Sequence, residues 1–92
     1  MSNVNDTLLK RGQVYGDFGK GITLESEIMS NIAGRYYAEH GKEMDPWFFM
    51  AISKIVMKLS RISTSPSHID SWHDIAGYAV LIENHLKKEQ NA

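Results

Sequence analysis

The sequence has no cysteine and only two prolines, Pro46 and Pro66. With no thiol there is no disulfide framework, no thiolate nucleophile and no cysteine-ligated zinc. Long hydrophobic runs are missing as well. The longest mostly apolar stretch, Pro46 to Ile62, is broken by Ser53, Lys54, Lys58, Ser60 and Arg61, short of the roughly 18 apolar residues that mark a membrane-spanning helix. The opening MSNVNDTLLKRG is polar and lacks the apolar centre of a secretion signal. A cytoplasmic protein with no membrane partner is the expectation. Charge of one sign is also lacking: ten Lys and Arg face eleven Asp and Glu, with a pI near 6.4. A general nucleic-acid binder needs a basic face, which this balance disfavours.

What is present is a chain of 92 residues, 42% hydrophobic, too apolar for composition-driven disorder. One small domain, residues 1–92, is the expectation. A chain this short buries a modest share of its surface, which favours a homo-oligomer.

Four segments carry helical periodicity, and none alternates like a strand. The fold class expected is all-α, a compact bundle of about four helices. Residues 5–21 read as a short helix, capped by Asn5 or Asp6, then a glycine-rich loop from Tyr15 to Gly21. The second helix spans about 23–40, with Glu25 and Glu27 in its first turns and Gly41 as a left-handed stop. The third spans about 46–62, behind an Asp45 cap and Pro46 at its first position. Phe48, Ile52, Ile55, Val56, Leu59 and Ile62 give it one broad apolar face, and the cluster Trp47, Phe48, Phe49, Met50 spreads apolar surface beyond it. The fourth spans about 68–88, with Ser67 and Asp70 at capping-box spacing and a frayed tail.

The connection from Ser63 to Ser67 is short, so the last two helices form an antiparallel hairpin. Counting outwards from Ser65 sets Arg61 level with about Asp70, and Lys58 level with about Asp74. Two bases on one helix thus meet two acids on the next. Such pairs fix a hairpin's register. The same residues also form a charge-matched wall able to bind phosphate through Lys58 and Arg61, or Mg²⁺ through Asp70 and Asp74.

Other candidates are weaker. His68, Asp70, His73 and Asp74 are metal-binding residue types, but His68 and Asp70 lie about 200° apart on a helix. The loop at Gly16, Gly19 and Gly21 lacks the spacing of a phosphate-binding Walker loop. No nucleophile with an oriented base is visible, so no catalytic residue and no resident metal are assigned.

The stretch Lys58-Leu59-Ser60-Arg61-Ile62, with Asp70-Ser71-Trp72-His73-Asp74-Ile75-Ala76-Gly77-Tyr78-Ala79 and the earlier Arg11-x3-Tyr15-Gly16, resembles an uncharacterised family of small helical proteins encoded mainly by bacteriophages. The layout is similar to phage nucleotide-modification-associated helical domains, and distantly to half of a MazG-type all-α nucleoside triphosphate pyrophosphohydrolase. The resemblance implies a phage accessory protein linked to nucleotides, working in the host cytoplasm. It carries a departure too. MazG-type enzymes hold Mg²⁺ with paired carboxylates at i, i+3 on two helices; here Glu25 and Glu27 are two apart, and Asp70 and Asp74 four apart.

The expectation is therefore a protein that binds a nucleotide-type phosphate ligand without turnover, sequestering a host-defence signal. The ligand-binding candidates are Tyr15, Lys58, Arg61, Asp70, Asp74 and Tyr78, with no cofactor. One alternative is a MazG-like hydrolase using Mg²⁺ on Asp70, Asp74 and Glu25 or Glu27. The other is an interaction protein that blocks a host factor through Trp47 to Met50.

Overall fold

The computed structural model describes residues 3–91. They form four helices, α1 (Val4–Tyr15), α2 (Phe18–His40), α3 (Pro46–Thr64) and α4 (Ile69–Gln90). The described residues hold no strand, and the helices pack on one another as the all-α bundle that the periodicities predict. α3 is the hub, because α2, α4 and α1 each pack against it.

Two helix ends follow the sequence closely. The Asp45 carboxylate accepts the Trp47 amide hydrogen at 2.8 Å, and Pro46 fills the first position of α3, where no amide donor is needed. α2 stops at Gly41, whose φ of 66° is the left-handed conformation that spares a glycine the Cβ clash.

The glycine-rich segment is different from the expectation. The loop expected over Tyr15 to Gly21 is reduced to Gly16 and Asp17, and α2 begins at Phe18. Asp17 caps it by accepting from the Lys20 amide at 2.9 Å. Gly19 and Gly21 are therefore helical. Gly21 marks a close approach of α2 to α3: a Cβ there would meet Ser60 Oγ at 3.3 Å. Glycine reads as a breaker in sequence, yet here it thins a helix where its neighbour lies near. Only Gly16 needs a glycine conformation. Its φ of 86° and ψ of −172° belong to a region that side chains scarcely enter, and a Cβ would lie 2.6 Å from Thr64 Oγ1.

Further boundaries move. α1 is capped by Asn3, which accepts from the Asp6 amide at 2.9 Å, in place of Asn5 or Asp6. Because α2 starts early, Glu25 and Glu27 lie beyond its first turn. The expected Ser67–Asp70 capping box does not form: His68 occupies the cap position and gives no side-chain cap. The turn is held instead by Trp72 Nε1, which donates to the Pro66 carbonyl at 2.7 Å. α3 and α4 each run two residues past their expected ends, so Glu89 and Gln90 are helical.

The C-terminal hairpin is antiparallel with its register fixed at two points. Lys58 Nζ lies 2.9 Å from Asp74 Oδ2, and Trp47 stacks on His85 with ring centroids 4.2 Å apart. Trp47 to Lys58 is as many residues as His85 back to Asp74, so the helices run past each other without slip.

The core is thin. Met29 and Val56 are its buried hydrophobic residues. The radius of gyration is 15.9 Å, against about 12 Å for a globular domain of this length.

Gly16→Ala is expected to destabilise the fold by about 1–3 kcal/mol. Gly34→Ala, in mid-α2 with open space around its Cβ position, is expected to stabilise it by roughly 0.5–1 kcal/mol. Urea denaturation of the two variants checks the opposite signs.

Candidate functional site

A polar cluster forms where the α1–α2 and α3–α4 connections meet. α3 supplies Lys58, Arg61 and Thr64 from its C-terminal half. The first turns of α4 supply Ser71 and Asp74, three residues apart and so on one helix face. Tyr15 ends α1 beside them.

Lys58 is the buried charge of the cluster, with its side chain 9% exposed, whereas Asp74 is 45% exposed. An ammonium removed from water needs a partner, and the Asp74 carboxylate supplies it. The hydrogen bond from Lys58 is the main reason that the Asp74 carboxyl titrates below its ordinary value. The charges of Lys58, His73 and Arg61 add to this, and partial burial opposes it.

Arg61, one turn further on, does something else. Its Cζ sits 4.3 Å from the centre of the Tyr15 ring, a cation–π contact. Among the described residues it makes no ion pair with a carboxylate. The guanidinium is thus braced by a ring, and its charge is not neutralised by a neighbouring acid. Tyr15 is held in turn by the edge of His68, with centroids 5.6 Å apart and planes at 87°. His68 Nδ1 lies 3.1 Å from Ser71 Oγ, and Ser71 is 2% exposed. Ser65 Oγ donates to the Val14 carbonyl, tying the end of α1 to the hairpin turn.

Of the six residues expected from sequence, Tyr15, Lys58, Arg61 and Asp74 come together. Asp70 does not. The register that joins Lys58 to Asp74 sets Arg61 level with the inward-facing Ser71, which leaves Asp70 exposed at the edge of α4, and Arg61 turns to α1. The expected Arg61–Asp70 pairing is therefore replaced by Arg61 on Tyr15. Tyr78 is half-buried, one turn beyond Asp74 on the helix face that carries Ser71.

Thr64, His68 and Ser71 were not legible as members of the cluster. Ser71 had a usable signal, since Ser71, Asp74 and Tyr78 share i, i+3, i+7 spacing. The burial of Ser60, whose Oγ reaches the Gly21 carbonyl at 3.4 Å, depends on α2 starting early and gave no local sign.

The carboxylates considered for Mg²⁺ do not converge: among the described residues, no group of three or more His, Asp or Glu side chains is placed to hold a metal ion. No helix among the described residues is long and apolar enough to cross a membrane. Trp47 to Met50 lie at the far end of α3, with Trp47 engaged by His85 and, edge-on at 5.2 Å, by Phe48.

The family model of DUF6378, a domain of unknown function, matches residues 8–86. That span contains every residue of the cluster. No curated protein and no solved structure gives a significant match.

The Asp74 shift sets a pH dependence. A carboxyl held below its ordinary value of 3.8 stabilises the fold above that pH, and the contribution disappears as pH falls through the lowered value. The melting temperatures of wild type and Asp74→Asn are therefore expected to differ most near neutrality and to converge below about pH 4. A gap that stays constant on acidification would mean that the ion pair is not its source.

Proposed function

The chain belongs to the DUF6378 family, and from the chemistry of its polar cluster we propose that it binds a nucleotide-type phosphate ligand at Lys58 and Arg61 without turning it over. The observation that carries this reading is Arg61. A guanidinium braced on one face by Tyr15, with no carboxylate on its donors, presents a planar fork suited to two phosphate oxygens. Lys58 stands one turn away, so its charge adds to the local field while Asp74 holds it in place. Tyr15 has one ring face committed to Arg61, so its part is to orient the guanidinium. The resemblance to phage nucleotide-modification-associated domains supports the ligand class.

Binding without turnover fits a carboxylate set that does not gather round a metal site. In a bacteriophage such a protein withdraws a nucleotide signal from host defence, and that is the role we assign. The same proposal has the chain acting as a homo-oligomer in the host cytoplasm, because a single copy has few residues with which to enclose a ligand.

Calorimetric titration with a panel of linear and cyclic nucleotides checks the reading. At least one is expected to bind, with Arg61→Ala weakening it by about ten- to a hundredfold, the worth of a charge-assisted hydrogen bond. Trp47→Ala, at the opposite end of α3, is expected to bind as wild type does. Heats equal to buffer across the panel would remove the proposal. Release of pyrophosphate in the presence of Mg²⁺ would replace it with the hydrolase reading.

A further inference from the structure

α3 buries the wrong residues for a helix whose partners are all present. Its buried positions are Val56, Lys58 and Ser60, while Phe48 is 39% and Leu59 41% exposed. A lysine and a serine are covered, while the most apolar stripe of the helix is covered only in part. Exposed apolar residues are ordinary when scattered; a contiguous patch is not.

The incompletely covered residues form a pattern. Phe48, Ile52, Ile55, Leu59 and Ile62 recur at alternating spacings of four and three, which is the seam of a helix that packs along another helix. Phe48 and Leu59 are exposed, and Ile52, Ile55 and Ile62 are half-buried. Ile55 also lines an open groove with Ala79, Ile82 and Leu86 of α4, so the seam continues onto the neighbouring helix. The Glu83–Lys87 ion pair at 2.8 Å gives the groove a polar border, as at an interface rim.

The exposed area leaves room for a partner. The chain exposes 7164 Å², whereas a folded monomer of this mass exposes about 5,400 Å². The excess over the whole chain, to which α1 with no buried side chain contributes, is about 1,800 Å², and a stable interface takes roughly 800 Å² of it from each partner.

We infer that this seam is the contact between two copies of the chain, α3 against α3 across a two-fold axis. The inference rests on the homo-oligomer part of the proposed function and assigns its surface. A seam that repeats at heptad spacing matches itself, as a two-fold interface requires. Ile55 is the central residue of the five and therefore meets its own copy, whichever way the two helices run.

The absence of cysteine makes the test direct. Ile55→Cys is expected to form disulfide-linked dimers under mild oxidation. Lys54→Cys, exposed and about 100° round the helix, is expected to stay unlinked. In sedimentation equilibrium, wild type is expected at twice its 10.4 kDa mass. Leu59→Lys is expected at the single mass with helical circular dichroism kept, because Leu59 is already two-fifths exposed. A monomeric wild type at tens of micromolar would overturn the homo-oligomer and the seam together. A dimeric wild type whose Ile55→Cys variant does not cross-link would overturn the seam alone, whatever Leu59→Lys does. Nucleotide titration of Leu59→Lys keeps this result separate from the ligand reading, since Leu59 lies about 100° or more round α3 from Lys58 and Arg61.

Discussion

The ion pair between Lys58 and Asp74 is the contact on which the rest of the site depends. A lysine side chain this deeply covered cannot be left alone, because an unpaired ammonium out of water costs far more than a small helical domain has in reserve. The pair is also asymmetric: the cation is buried and the anion stays half in solvent. Asp74 therefore keeps part of its hydration while neutralising Lys58, which limits the desolvation penalty of a fully buried pair. Because the two residues sit on different helices, satisfying the charge sets the hairpin's register. That register presents Ser71 to Arg61 where Asp70 had been expected. With no acid at its own level, Arg61 turns to the aromatic ring at the end of α1, and the guanidinium keeps its charge.

Much of the scaffold was legible because the signals are local. The Asp45-Pro46 start of α3, the Gly41 stop of α2 and the apolar periodicities of the three long helices each follow from a few neighbouring residues. Lys58 opposite Asp74 was readable as well, since a short turn leaves little freedom in counting outwards. The failures are of another kind. Gly19 and Gly21 look like loop residues until α3 lies beside them, when the missing side chain becomes a condition of packing. Asp70 looked equivalent to Asp74 because both share a helix edge. The register set by Lys58 and Asp74 separates them by placing Ser71 opposite Arg61, and a count outwards from the turn is not accurate to one residue.

The division of surfaces on α3 explains why one helix can serve two purposes. One side faces α2 and α4 with a mixture of apolar and polar groups and holds the charged cluster at its C-terminal end. The other side is almost purely aliphatic and aromatic. That stripe is only partly covered in the isolated chain, and the part of its apolar area that faces water adds nothing to stability. Its burial would give the thin core about Met29 and Val56 a second layer, and fold and assembly would then be one equilibrium, dependent on protein concentration.

α1 contributes no buried side chain. It is joined to the bundle through Gly16 and held by the Tyr15 ring, the Gly16–Thr64 contact and one hydroxyl bond from Ser65. A helix of twelve residues has little persistence of its own, so it opens as a local unit at a lower free energy than the bundle. When it opens, Arg61 loses its aromatic cover. Any anion that grips the guanidinium in its braced position must then also favour the closed state of α1. If the proposed ligand binds there, the N-terminal segment would report its occupancy: its amide exchange would slow when the cluster is filled, with no change needed in the three longer helices.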